Sequence, residues 1–155
     1  MDDAHFMWRA IEKAREGILG GQSPFGAAVV KNGVIVVAAH NTVWRDTDPT
    51  CHAEINAIRQ AAAALGTIFL NGCVMYTTCE PCPMCLSAIH WAKFARCVFG
   101  ATIEDAASAG FCELHFPAKE LARQGGSPLV VEDGVLRAEC VELFERFRML
   151  GGKTY

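Results

Sequence analysis

The sequence predicts an α/β fold, a three-layer α/β/α sandwich around a mixed sheet of five strands. Helix and strand patterns alternate along most of the chain. Two apolar runs are joined by Asn32-Gly33, a strong hairpin signal, and a later strand, helix and strand follow one another as in a parallel crossover. With 155 residues, 52% of them hydrophobic, the chain is long enough for one compact domain. We therefore expect a single domain over residues 1–155.

The first predicted element is a helix over residues 4–18. Asp2 or Asp3 would cap it, and Gly20-Gly21 would end it. Its apolar side chains recur at helical spacing, namely Phe6, Ala10, Ile11, Ala14 and Ile18. This helix should cover one face of the sheet.

The first two strands are predicted over residues 25–31 and 34–40. Both are apolar and rich in β-branched residues, and Asn32-Gly33 between them makes them antiparallel neighbours. Their continuous apolar character indicates burial on both faces, as in a sheet covered by helices on each side.

A polar stretch over residues 41–50 is predicted to be a loop. An alanine-rich helix follows over residues 52–65 and ends at Gly66. In this arrangement His52 and Glu54 both fall in the first helical turn. Their side chains would then point past the helix end toward the next segment of the chain.

Residues 73–78, 83–91 and 97–100 are predicted as strand, helix and strand. This order implies a right-handed parallel crossover. Ligands in open α/β sheets usually bind at the carboxyl ends of the strands, so we expect the site at that end.

The last third of the chain gives weaker signals. Residues 101–115 should be irregular or briefly helical, and the patterns beyond them predict a helix over 117–124, a strand over 129–131 and an amphipathic helix over 139–149. Gly151-Gly152 should free the last three residues to reach away from the body, toward a neighbouring subunit.

The chemistry is concentrated in Cys82, Cys85, His52 and Glu54. The two cysteines are three residues apart at a helix start, where Pro83 fits the first turn and thiolates are favoured. They supply half of a tetrahedral zinc site, and His52 is the best further donor. Three protein ligands would leave one position for water, and Glu54 would move protons to and from that water.

Two other interpretations use the same residues. Cys79, Cys82, Cys85 and His52 could close a structural zinc site, although such a site has no use for a neighbouring carboxylate. A redox dithiol is the second alternative. Its usual thioredoxin-like setting differs from this one, which has two prolines, a preceding Glu80 and a separate His-x-Glu.

The spacing of His52-Ala53-Glu54 and Pro81-Cys82-Pro83-Met84-Cys85 resembles the signature of the zinc-dependent cytidine deaminase superfamily. Flanking stretches along nearly the whole chain are most similar to its guanine deaminase branch. These are Gly26 after Pro24-Phe25, Asn41, Asp48-Pro49, Thr78-Cys79-Glu80, Ile89-His90-Trp91-Ala92, Asp105-Ala106-Ala107, Ala109-Gly110-Phe111 and Lys153-Thr154-Tyr155.

The resemblance implies a cytidine deaminase-like fold with one zinc ion per subunit and hydrolysis of guanine to xanthine and ammonia. Glu54 would be the proton shuttle, and Glu113 a second carboxylate on the substrate. The chain departs from the branch pattern at Cys112, where that pattern has another acid. Substrate-binding residues would be Phe25, Asn41, Ala53, Trp91 and Tyr155. From pattern alone Asn41 could instead cap or turn the chain, Trp91 could be a core residue, and Glu113 a surface residue.

The resemblance also implies a homodimer that exchanges its C-terminal segment, so that Tyr155 closes the partner's pocket. The composition argues against nucleic acid and for a small neutral base or nucleoside, because the net charge is −3 and the basic residues are scattered among acids. The resemblance implies that this small molecule is a purine base. No apolar run is long enough for a membrane helix, and no signal pattern opens the chain. Eight cysteines without a disulfide framework fit a cytoplasmic protein.

Several functions stay open at this stage. The same zinc site could serve guanosine, a triazine, cytosine or adenosine in tRNA. A zinc-binding interaction module without catalysis is the alternative from another class of protein, and it would require four cysteine or histidine ligands.

Overall fold

A computed structural model, which describes residues 2–155, confirms the α/β fold with a mixed sheet of five strands. The strands are β1 (Gly26–Lys31), β2 (Val34–His40), β3 (Cys73–Cys79), β4 (Arg96–Ala101) and β5 (Val130–Glu132), in the sheet order β2-β1-β3-β4-β5. Within residues 2–155, no helix is both long and apolar enough to cross a membrane.

Seven helices are found in the described part of the chain. They are α1 (Asp3–Leu19), α2 (Val43–Asp46), α3 (Ala53–Leu65), α4 (Pro83–Trp91), α5 (Ile103–Ser108), α6 (Ala118–Gln124) and α7 (Arg137–Met149). Asp2 caps α1, and Gly20 follows its last residue, as predicted.

The direction of the strands changes in the middle of the sheet. β1 is antiparallel to both β2 and β3, whereas β3, β4 and β5 run parallel. The predicted parallel crossover through α4 is therefore present. The carboxyl ends of β3 and β4 lie side by side, with Cys79 opposite Ala101.

Successive residues of β1 face the two helical layers in turn, as the pleat of a strand requires. Ala28 and Val30 pack in the cluster formed by α1 and α7. Ala27 and Val29 pack in the second cluster, with α3, α4 and α6. The predicted three layers follow from this alternation.

The hairpin has the predicted turn, but its two strands differ in burial. Asn32 and Gly33 have φ angles of 51° and 75°, positive at both positions as in a type I′ turn. β1 is buried almost throughout, whereas β2 is an edge strand that is mostly half-buried. Side chains of β2 still pack into both clusters, Ile35 and Ala38 into the first and Val36 and Val37 into the second. The predicted burial on both faces is therefore partial for β2.

Two other predictions need correction near the site. The stretch 41–50 contains the one-turn helix α2, in addition to loop. His52 is not in the first turn of α3 but is its N-cap, with extended backbone (φ −63°, ψ 157°). The side chain of His52 therefore leaves the chain just before the helix, while Glu54 lies within its first turn.

The last residues fold back on the body of the same chain. Trp44 Nε1 donates a hydrogen bond to the Lys153 carbonyl at 3.2 Å, and Cys112 N donates to the Tyr155 carbonyl at 2.9 Å. The expectation that these residues reach away from the body does not describe this structure. Exchange of the segment between subunits stays a prediction.

Candidate active site

The candidate site lies where α3 and α4 begin, at the carboxyl end of β3. The N-cap residues of the two helices are His52 and Cys82, and both have extended backbone. Pro83 occupies the start of α4, where no backbone N–H is needed. The packing of α3 against α4 thus brings His52 to the cysteine pair from a distant part of the sequence.

His52, Cys82 and Cys85 form a cluster whose ligand atoms all lie within 4.8 Å of one another. His52 Nδ1 is 3.7 Å from Cys82 Sγ and 3.5 Å from Cys85 Sγ. Tetrahedral zinc bonds of about 2.3 Å to sulfur and about 2.0 Å to nitrogen place these atoms about 3.5 Å apart. The three residues therefore fit a zinc ion.

Cys79 does not belong to this cluster. Its Sγ donates to the Thr102 carbonyl at 3.5 Å, and within residues 2–155 the possible metal ligands group only as His52, Cys82 and Cys85. Three protein ligands characterise catalytic zinc sites, whereas structural sites have four. The geometry thus disfavours the closed structural site.

The two zinc-facing thiols differ in acidity. A hydrogen bond from the Cys85 thiol, assisted by His52, lowers the pKa of Cys82 to about 4. The same shared hydrogen bond and burial raise the pKa of Cys85 well above its usual value. All eight cysteines are free, so the pair is available as a metal-binding dithiol.

Glu54 is a buried acid beside the cluster, with only 6% of its surface exposed. Burial raises its pKa to about 7. Thr77 Oγ1 donates to Glu54 Oε1 at 3.2 Å and so helps to orient the carboxyl group. A carboxyl group with a pKa near the working pH suits general acid and base catalysis.

A cleft of about 250 Å³ opens over these groups. It is lined by Phe25, Pro49, His52, Glu54, Cys79, Glu80, Cys82, Met84, Phe111, Cys112, Glu113, Leu114 and Tyr155. The predicted site residues Phe25, Glu113 and Tyr155 are therefore brought together with the metal-binding cluster. Aromatic side chains form one wall, with Phe25 and Phe111 edge to face at 4.9 Å.

Glu113 is the second acid of the cleft. It is half-buried, and burial raises its pKa. It lies in the segment between α5 and α6, in which Glu113 N donates to the Phe111 carbonyl. The sequence left open whether Glu113 is a surface residue. In the structure it lies in the cleft wall.

Asn41 is fully buried and does not line the cleft. Its Oδ1 accepts from Val43 N at 3.0 Å, and its Nδ2 donates to Tyr155 Oη at 2.6 Å. The turn-forming role that the sequence left open is therefore present. Asn41 also anchors Tyr155, whose ring centre is 6.0 Å from that of His52.

Ala53 and Trp91 are placed differently from the other predicted substrate residues. The side chain of Ala53 is buried in the core, so only its backbone N–H, unpaired within the helix at this position, is left for a ligand. Trp91 is 73% exposed and lies outside the cleft. It ends the nine-residue helix α4, about 13 Å along the axis from the cysteine end, so the same chain's pocket does not use it.

Two residues of the site carry roles that sequence reasoning missed. Thr77 contacts Glu54, and buried Glu80 accepts Ala118 N at 2.8 Å and Ile103 N at 3.0 Å. These contacts join residues that are 23 to 38 positions apart in the sequence, and no sequence pattern reveals pairs at such separations. Two signals pointed to Glu80: it stands next to the metal-binding motif, and it belongs to Thr78-Cys79-Glu80, one of the stretches that carry the family resemblance.

Comparison with known proteins agrees with the geometry. Residues 1–101 match the family model of the cytidine and deoxycytidylate deaminase zinc-binding region. The guanine deaminase of Bacillus subtilis (strain 168) is 40% identical over 99% of this chain and 98% of its own length. The tRNA-specific adenosine deaminase of the same organism is 34% identical over 94% of this chain and 88% of its own length.

Solved structures show the same fold. A guanine deaminase from Nitrosomonas europaea superposes with a TM-score of 0.87, 28% identity, and coverage of 94% of this chain and 84% of the other. A protein in complex with 2,6-diaminopurine superposes with a TM-score of 0.90, 28% identity, and coverage of 99% and 85%. By its sequence and its three-ligand site, the chain belongs to the cytidine and deoxycytidylate deaminase family, which shares this zinc-binding region.

Proposed function

We propose that this protein is a zinc-dependent guanine deaminase, which hydrolyses guanine to xanthine and ammonia. The observation that carries the proposal is the buried acid Glu54 beside a three-ligand cluster, within one small cleft. The similarity to the guanine deaminase of Bacillus subtilis over 99% of the chain supports the choice of substrate.

The size of the cleft favours a free base. Pockets for drug-sized ligands usually measure about 300–1,000 Å³, and this one measures about 250 Å³. Its aromatic wall of Phe25, Phe111 and Tyr155 suits a flat ring. A nucleoside or a tRNA loop would have to leave its sugar outside the cleft.

His52, Cys82 and Cys85 would hold the zinc ion. When bound, zinc supplies Lewis acidity, which makes water a stronger acid and a nucleophile near neutral pH. Glu54 would accept one proton of the attacking water and pass it to a ring nitrogen as the C–O bond forms at C2. It would then take the remaining proton from the new hydroxyl group and give it to the exocyclic amine, so that the C2–N bond breaks, ammonia leaves and the C2 carbonyl forms. With a pKa of about 7, Glu54 can both accept and donate protons in this way.

Glu113 would accept hydrogen bonds from the amine and the ring N–H of guanine. Its half-buried position in the cleft wall supports this role. Phe25 and Tyr155 would enclose the ring, the Ala53 backbone N–H would donate to it, and Asn41 would reach the base only if Tyr155 released its amide. Trp91 would contribute only from a partner subunit.

We also propose that the protein is a homodimer that exchanges its C-terminal segment. The solved structure of guanine deaminase from Bacillus subtilis superposes on 73% of this chain, with 46% identity and a TM-score of 0.71. Sequence similarity to the Bacillus subtilis guanine deaminase extends over 99% of this chain, so the superposition leaves out part of the chain that the sequences share. Exchange of the last segment would account for this difference. A cytoplasmic location fits the free thiols.

The test is ammonia release by the zinc-loaded protein with guanine, guanosine, cytosine, cytidine and adenine as separate substrates. We expect turnover of guanine well above the other four. If another compound were turned over faster than guanine, the proposed zinc chemistry would still be supported, but guanine would be rejected as the substrate. A tRNA anticodon stem-loop with a wobble adenosine belongs in the same panel, because tRNA-specific deaminases are also related to this chain.

A further inference from the structure

We infer that Glu80 is a positioning residue for Glu113, and this inference rests on the proposed function. Glu80 follows β3 and is continuous with the sheet, since its backbone N–H donates to the Ala101 carbonyl at 2.7 Å. Its side chain is buried, with 9% of its surface exposed. A buried carboxyl group at this point must have specific partners.

Both partners of Glu80 are backbone N–H groups at helix starts. Oε2 accepts from Ile103 at the start of α5, and Oε1 accepts from Ala118 at the start of α6. The first N–H groups of a helix have no acceptor within the helix, so this one side chain satisfies a donor at each end. Each carboxyl oxygen is thus bound to a backbone donor of the segment between α5 and α6.

The two anchored points bracket the segment that forms one wall of the cleft. Between residues 103 and 118 the chain leaves the sheet, passes over the cleft and returns, carrying Phe111, Glu113 and Leu114. The carboxyl group of Glu80 is hydrogen-bonded to both the start and the end of this segment. Such closed loops, whose ends lie close together, are frequent in functional sites.

Glu80 also links the segment between residues 103 and 118 to the metal-binding residues. It is two positions before Cys82 and lines the same cleft. A displacement at Glu80 would therefore change the position of Glu113 relative to the cysteine pair. The carboxyl group fixes the distance between the substrate-binding acid and the reacting carbon, while the zinc ligands stay in place.

The test replaces Glu80 with glutamine, since an amide has the same shape but cannot accept on both sides. We expect Glu80→Gln to bind one zinc per chain and to lose about 10²-fold in kcat/KM for guanine, the scale of a small misplacement of a reacting group. Asp3→Asn is the matched control. It makes the same chemical change at a carboxyl group that is hydrogen-bonded to Tyr76 and Arg96, away from the cleft.

A double-mutant cycle separates positioning from general destabilisation. If Glu80 acts through Glu113, the double variant Glu80→Gln, Glu113→Gln loses no more kcat/KM than Glu113→Gln alone. Additive losses would overturn the inference, as would an unchanged kcat/KM in Glu80→Gln.

Hydrogen exchange provides a readout that does not depend on turnover. We expect amides of residues 109–116 to exchange faster in Glu80→Gln than in the wild type and in Asp3→Asn, with unchanged protection in α3 and α4. Equal exchange in all three proteins would reject the positioning role even if guanine is a substrate. Faster exchange without guanine turnover by the wild type would support the anchor and reject the proposed substrate.

Discussion

Asn41 Nδ2 donates a hydrogen bond to Tyr155 Oη at 2.6 Å, which ties the last residue of the chain to a buried amide at the end of β2. The Tyr155 ring also packs edge to face on Phe111, with centroids 5.5 Å apart. The hydroxyl group of Tyr155 is thus hydrogen-bonded to the side-chain amide of Asn41, the residue that the family resemblance identifies as substrate-binding. Tyr155 therefore forms part of the cleft wall and also occupies a donor of the Asn41 amide.

Removal of Thr154 and Tyr155 is expected to lower kcat/KM for guanine by more than about tenfold, because the cleft loses a wall that excludes water. Tyr155→Phe is the matched control, because it keeps the ring and removes only the hydrogen bond to Asn41. We expect it to retain most of the turnover. The measurement is kcat/KM for guanine in both variants by steady-state kinetics. A kcat/KM in the truncated protein equal to that of the wild type would contradict the role of Tyr155.

Segment exchange is testable by complementation. A subunit with Glu54→Gln keeps its Tyr155, and a subunit that lacks residues 154–155 keeps its Glu54. If the segment is exchanged, co-expressed heterodimers of these two impaired forms regain one complete site per dimer, with Glu54 from one chain and Tyr155 from the other. Heterodimers isolated with two affinity tags should therefore release ammonia with about the wild-type kcat/KM per complete site, whereas kcat/KM no higher than that of the truncated protein would show that each chain closes its own cleft.

Thr77→Val should lower kcat by about tenfold, the effect of losing one hydrogen bond to an ionisable group. Thr77 Oγ1 donates to Glu54, whereas the neighbouring Thr78 Oγ1 accepts from Gly26 N. Thr78→Val therefore removes the same hydroxyl without touching the acid. Zinc content should be normal in both variants, and equal kcat values for the two would argue against a role of Thr77 in orienting Glu54.

The pH dependence of stability should show that the ionised carboxylate of Asp3 stabilises the folded protein. A hydrogen bond from Arg96 is the main cause that lowers the pKa of Asp3 below its ordinary value of 3.8, and Tyr76 adds a second. A lowered pKa in the folded state gives stability above the unfolded pKa that is lost as the pH falls through the folded value. The difference in Tm between wild type and Asp3→Asn should therefore be positive at about pH 6 and shrink below about pH 4. A difference that is constant with pH would contradict the assignment.

The parts of the fold that depend on local signals were predictable from the sequence. Asn32-Gly33 specified the hairpin, Asp2 the start of α1, and Gly66 the end of α3. The helix α2 was missed because a single turn leaves no periodicity to detect. The edge position of β2 depends on which strands pair, and this is a property of the whole sheet.

The metal-binding part of the site was also predictable, because two cysteines, a histidine and an acid at these spacings have few other uses. The contacts of Asn41 with Tyr155 and of Glu80 with Ile103 and Ala118 were not predictable. The first joins residues at opposite ends of the chain. The second uses backbone donors, which every residue except proline possesses, so no residue type marks them.

The most direct test of the proposed reaction is mass spectrometry of the product formed from guanine in water enriched in heavy oxygen. The wild-type protein loaded with zinc should release xanthine that carries the heavy label at one oxygen, together with one equivalent of ammonia. Glu54→Gln should bind the same amount of zinc but lose about 10²- to 10⁴-fold in rate, the usual contribution of proton transfer by a positioned side chain. Absence of xanthine from the wild type, or labelled xanthine formed at the wild-type rate by Glu54→Gln, would contradict the account.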